Sequence, residues 1–117
     1  MSDDETNWHR VLEKSAVRRN RGRLVRVGAR KLAVFGADDR IFVTENRCPH
    51  AAASLALGEV KGLVVACPRH GWMFNLDTGH CLTMEGFELR TYPTRIRGGW
   101  VEVYVEPADL EEESSIW

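Results

Sequence analysis

Apolar residues recur along this chain in short alternating or β-branched runs, each closed by turn residues, and that period of two belongs to half-buried strands. The runs predict strands over Trp8–Leu12, Arg23–Val27, Lys31–Phe35, Arg40–Thr44, Leu63–Ala66, Trp72–Asn75, Glu88–Arg97 with a break near Pro93, and Trp100–Val105. Gly28-Ala29, Gly36-Ala37-Asp38-Asp39, Lys61-Gly62, Asp77-Thr78-Gly79 and Gly98-Gly99 supply the positive φ values or side-chain caps that tight turns need. Only Glu13–Arg19 could form a short helix. Beyond Pro107 the alternation stops and acidic residues take over. The expected organisation is one domain over 1–106, followed by an acidic tail over 107–117 that is extended or forms a short helix only on contact. Many short strands with little helix predict an all-β fold, an antiparallel β sandwich.

Composition narrows the function. A length of 117 residues suits one domain, and 44% hydrophobic with 28% charged residues is ordinary for a globular protein. No apolar run approaches the roughly 20 residues that span a bilayer, and Met1–Glu5 is acidic where a secretory signal would be basic, so a cytoplasmic protein is expected. A formal net charge of −1 argues against nucleic acid as partner. Arginines and Lys31 crowd 18–31 and acidic residues crowd 106–113; both stretches are expected as solvated surfaces. Three cysteines are an odd number and poor material for a disulfide framework, which turns attention to metal binding.

The candidate chemistry lies in two compact segments, Cys48-Pro49-His50 and Cys67-Pro68-Arg69-His70-Gly71-Trp72. Each pairs one thiol with one imidazole inside a single loop. The 16 residues between His50 and Cys67 are enough for a hairpin that returns the second loop beside the first. Thiolate and imidazole suit iron and zinc, and the absence of neighbouring carboxylates argues against calcium, magnesium or carboxylate-bound iron. Structural zinc sites usually place two cysteines together and two histidines together, whereas both pairs here are mixed. The spacing leaves an iron–sulfur cluster and zinc open, with the cluster the better match.

Cys-x-His followed by Cys-x-x-His-Gly-Trp resembles the Rieske domain, in which two cysteines bind one iron of a [2Fe-2S] cluster and two histidines bind the other. Trp8, the strand ending before Asn46-Arg47, Ser54-Leu55 with Gly58, Phe74-Asn75-x-Asp77-x-Gly79 and the final Gly99-Trp100-Val101 hairpin also look like family positions, so the likeness runs from about Trp8 to Glu106. The resemblance implies a small cluster-binding part attached to the sandwich and a cluster held by Cys48, His50, Cys67 and His70. Two ferric ions, two sulfides and two thiolates sum to about zero, so one electron takes such a cluster only to about −1. The two histidines therefore raise its potential above that of a four-cysteine cluster, into a range of about −150 to +300 mV. High-potential members resemble one another in an extra cysteine in each loop and a serine after His-Gly; here stand Ala52 or Ala53, Arg69 and Trp72. That points to the low end and to the ferredoxin and oxygenase branch.

The resemblance implies a soluble single-electron carrier, monomeric when free, that takes electrons from a flavin-dependent NAD(P)H reductase and passes them to a terminal oxygenase or other reductase. The alternatives are a small subunit of an NAD(P)H-dependent nitrite reductase and, more remotely, a zinc-stabilised interaction module. A whole ring-hydroxylating oxygenase would need further histidines for a mononuclear iron, and only His9 and His80 remain. A partner is expected to dock over a tip formed by Arg47, His50, Arg69 and His70. Pro49 and Pro68 are expected to stiffen the loops, Trp72 and Cys81 to pack, and His9 and His80 to lie on the surface. Alanine at Cys48, His50, Cys67 or His70 should abolish the visible absorption of the purified protein, while Cys81→Ser should leave it intact; bleaching by Cys81→Ser would contradict a packing role for that thiol.

Overall fold

The computed structural model describes residues 5–49 and 53–111. His50 lies outside the described residues, as does most of the acidic run after Leu110. The strands are β1 (Trp8–Glu13), β2 (Arg21–Val27), β3 (Arg30–Ala37), β4 (Arg40–Glu45), β5 (Glu59–Lys61), β6 (Val64–Ala66), β7 (Met73–Asn75), β8 (Thr91–Tyr92), β9 (Thr94–Arg97) and β10 (Trp100–Tyr104). They form three sheets, β1-β10-β9, β2-β3-β4-β8 and β5-β6-β7, and every strand pairing is antiparallel. The fold class is the expected one, with the third sheet as the smaller attached part.

The middle sheet serves two cores because side chains alternate across a strand. On β3, Leu32 and Val34 enter one apolar cluster with Val25, Val43, Val101 and Val103, while Ala33, Phe35 and Ala37 enter the other with Leu55, Val65 and Phe74. Residues 32 to 37 are consequently all buried, a continuous run rather than an alternation. The first cluster is the sandwich. The second joins the middle sheet to the β5-β6-β7 sheet. Phe35 and Phe74 are both fully buried there, and truncation of either to alanine should cost about 3–5 kcal/mol.

Several elements differ from the expectation. Glu13–Arg19 holds only a single 3-10 turn, Lys14–Ala16, because Val17 is extended and Asn20 has φ +62°, which stops any helix before β2. The run Glu88–Arg97 yields only Thr91–Tyr92 and Thr94–Arg97 as strands. Leu89 ahead of them is buried, and its N–H donates to the Gly79 carbonyl at 2.6 Å instead of joining the sheet. Glu59–Lys61 is a full strand. Pro107–Glu111 forms a short helix, α1, with Asp109 buried and Leu110 packed on the sandwich core, so this part of the acidic stretch is not a solvated surface.

The outer face of the β1-β10-β9 sheet is laced by ions. The Arg95 guanidinium donates to Glu102 Oε1 at 2.8 Å and to both Glu5 carboxylate oxygens at 2.9 and 3.1 Å, with its charge 4.1 Å from the Trp8 ring centre. Those hydrogen bonds hold the Glu5 and Glu102 carboxyls below their ordinary range, with Arg10 adding to the effect at Glu102. A depressed folded-state pKa contributes stability above the unfolded value of about 4.3, and that contribution disappears as pH falls through the lower folded value. Glu102→Gln should therefore lower the melting temperature at pH 7, and the gap to wild type should close on acidification below about pH 4.

Candidate metal centre

The first candidate loop leaves the end of β4 and is pinned at its root by Asn46, which is buried. The Asn46 N–H donates to the Lys31 carbonyl at 3.3 Å, and its carbonyl accepts the Leu55 N–H at 2.8 Å. Its side-chain oxygen accepts from Ser54 Oγ at 3.1 Å and from the Ala56 N–H at 3.0 Å. One asparagine thus ties both ends of the excursion together. Arg47 and Ser54 form an antiparallel bridge, and the Cys48 N–H donates to the Ala53 carbonyl at 3.1 Å. Leu55–Leu57 then makes a 3-10 turn into β5.

The second candidate loop is the turn of the β6-β7 hairpin, whose last strand pair is Ala66 with Met73. Here too the cysteine closes its own loop: the Cys67 N–H donates to the Trp72 carbonyl at 2.7 Å, and its carbonyl accepts the Gly71 N–H at 2.9 Å. Gly71 has φ +75°, a left-handed conformation that a side chain would strain. Asn75 shapes the next turn, its side-chain oxygen accepting the N–H groups of Asp77 and Thr78 at 2.8 and 3.1 Å. Gly79 ends that turn at φ +81°, where a Cβ would lie 2.0 Å from the Leu89 carbonyl oxygen.

The two loops place chemically different groups at different depths. Cys48 and Cys67 are each 1% exposed and share one apolar cluster with Phe35, Leu55 and Phe74, whereas His70 is exposed. Both cysteines carry thiols rather than disulfides. Two buried thiols in one apolar cluster, with an exposed imidazole on the second loop, fit a thiolate-and-imidazole metal group shielded on its sulfur side. Among the described residues, no three His, Cys, Asp or Glu side chains converge as the ligands of a single ion would.

Cys81 is buried in the same cluster and bridges Phe74, and its sulfur accepts the Met84 N–H at 3.4 Å, as a packing residue would. Trp72 is half-buried and stacks edge-on with Phe87 at 4.9 Å. His80 is exposed, but His9 is not a simple surface residue: it is half-buried, and its Nε2 is shut off from solvent with no hydrogen-bond partner among the described residues. Arg69 is exposed and Arg47 half-buried. Beside Arg47, burial pushes the Glu45 carboxyl up, opposed by the Arg90 N–H that donates to its Oε2 at 2.8 Å.

Two features of the site lack a signal in the local pattern. Asn46 is a plain loop residue in sequence, yet its amide carries the first loop. Leu82, Met84 and Phe87 stand in a stretch without strand periodicity and are exposed, together with Met73, as an apolar shelf alongside the second loop. The Leu82 N–H donates to the Met73 carbonyl at 2.8 Å and the Met73 N–H to Thr83 Oγ1 at 2.9 Å, which fixes the shelf against β7. Asn46→Ala should lower the unfolding free energy by about 2 kcal/mol, since it strands the buried Ala56 N–H; denaturant titration checks this, and an unchanged midpoint would show that the Asn46 side chain does not carry the loop.

Comparison with known proteins agrees with this arrangement. The family model described as the Rieske [2Fe-2S] domain matches residues 7–93. Ferredoxin CarAc of Metapseudomonas resinovorans is 47% identical over 57 residues, 49% of this chain and 53% of that ferredoxin, so the match spans about half of its length. The fold superposes on the ferredoxin of Sphingomonas yanoikuyae B1 with a TM-score of 0.80 and 31% identity, over 86% of this chain and 100% of that one. It also superposes, with a TM-score of 0.77 and 35% identity over 84% and 93% of the two chains, on a solved complex of reduced oxygenase and oxidised ferredoxin in carbazole 1,9a-dioxygenase. With a matching family model over most of its length and both loop cysteines buried in one apolar cluster, this chain belongs to the Rieske [2Fe-2S] domain family.

Proposed function

We propose that Cys48, His50, Cys67 and His70 hold the [2Fe-2S] cluster, and that the protein carries single electrons from a flavin-dependent NAD(P)H reductase to a terminal oxygenase. The observation that supports this best is the difference in depth: both thiols are buried at 1% exposure while His70, on the same short loop as Cys67, faces water. When bound, the cluster supplies reversible one-electron storage. The chain's own residues do the rest. The apolar cluster around Cys48 and Cys67 keeps water and oxidants from the sulfurs. The exposed imidazole gives the electron a short way out.

A partner that covers His70 must also cover what surrounds it. That is positive charge at Arg47 and Arg69, and the shelf of Met73, Leu82, Met84 and Phe87, which are 36–49% exposed apart from Leu82 at 52%. An exposed apolar cluster of this kind marks an interaction surface, and the adjoining arginines would steer approach in a salt-dependent manner. Ferredoxins named in the comparisons include one solved in complex with its oxygenase, which supports an oxygenase as the acceptor.

The test is reconstitution with the reductase and oxygenase components of an aromatic-ring dioxygenase. The protein should support NADH-dependent product formation. Leu82→Glu with Met84→Glu should slow it by about tenfold or more without altering the visible spectrum, the size expected when a central apolar contact is lost. Co-purification with a siroheme-containing enzyme and no transfer to any oxygenase would instead support the nitrite reductase subunit reading.

A further inference from the structure

We propose that helix α1 is a strap on the root of the first cysteine loop, with Asp109 as its positioning residue. The helix follows β10 and has no share in the cluster loops, yet its contacts run straight to the two residues from which the first loop springs. The Asp109 carboxylate is ion-paired with the Arg90 guanidinium. Arg90 in turn grips Glu45 twice through its backbone: its N–H donates to Glu45 Oε2 at 2.8 Å, and its carbonyl accepts the Glu45 N–H at 2.9 Å. Glu45 is the last residue of β4.

A second route starts at the same aspartate. The Asp109 carbonyl accepts two hydrogen bonds from the Arg30 guanidinium, at 2.9 and 2.6 Å. Arg30 opens β3, and its neighbour Lys31 accepts the Asn46 N–H. Glu45 therefore lies one link from Arg90 and Asn46 two links from Arg30, by way of Lys31, and Cys48 follows two residues after Asn46. Leu110 secures the strap by packing over Gly28 in the β2-β3 turn and onto the sandwich core. A buried carboxylate held by a charged partner is costly to leave unpaired, so the helix and the two arginines should order together.

The inference rests on the proposed cluster only where its lifetime is read, and amide hydrogen exchange tests it separately. In the holoprotein, Asp109→Ala and, independently, Leu110→Asp should speed exchange of the Cys48, Leu55 and Ala56 amides by about tenfold while leaving the Cys67 and Gly71 amides of the second loop unchanged. The same variants should lose visible absorption several times faster in air than wild type, and Asp109→Glu should restore most of both properties. Exchange that rises equally in both loops, or a first loop that stays protected while the amide at position 109 exchanges freely, would overturn the proposal. A wild-type protein without any visible chromophore would overturn the cluster assignment and leave the exchange comparison standing.

Discussion

Each candidate cysteine is held by its own backbone, the Cys48 N–H on the Ala53 carbonyl and the Cys67 N–H on the Trp72 carbonyl. These two closures fix where the thiols point of entry into the core lies, and the remainder of the small subdomain exists to support them. Asn46 brackets the first loop, and Gly71 gives the second the left-handed turn it needs. The apolar cluster beneath then removes both sulfurs from water while leaving the histidine edge of the second loop exposed. Such an arrangement is pre-organised, since the loops spend their own hydrogen bonds on shape rather than waiting for a metal to impose it.

The middle sheet gives this device its rigidity. Strand β3 is buried on both faces, so a single strand couples the sandwich core to the core that receives the cysteines. Close-packed cores transmit small displacements poorly into disorder and well into neighbouring contacts. The ion pair of Asp109 with Arg90 sits beside Glu45, where β4 of the same middle sheet runs into the first loop, which is why a helix outside the cluster-binding part can bear on it.

The sequence made the ligand loops legible because ligands of one metal group must recur at short spacing, and Cys48-Pro49-His50 with Cys67 through Trp72 does so. Turn chemistry was legible for the same local reason at Asp77-Thr78-Gly79. What it hid depends on distant partners. Leu89 reads as part of a long strand until Gly79 takes its N–H, and Asp109 reads as a solvated acid until Arg30 and Arg90, 79 and 19 residues away, converge on it. The apolar shelf of Leu82, Met84 and Phe87 was equally hidden, because periodicity reports an amphipathic face but not whether a loop buries it.

A two-iron cluster with mixed thiolate and imidazole ligation is proposed to be held by these loops. Electron paramagnetic resonance of the freshly purified, chemically reduced protein tests it most directly. The expected result is a reddish-brown protein that, once reduced, gives a single-spin signal with an average g value below that of the free electron and lower than that of four-cysteine clusters. A colourless protein, silent when reduced and containing zinc, would contradict it.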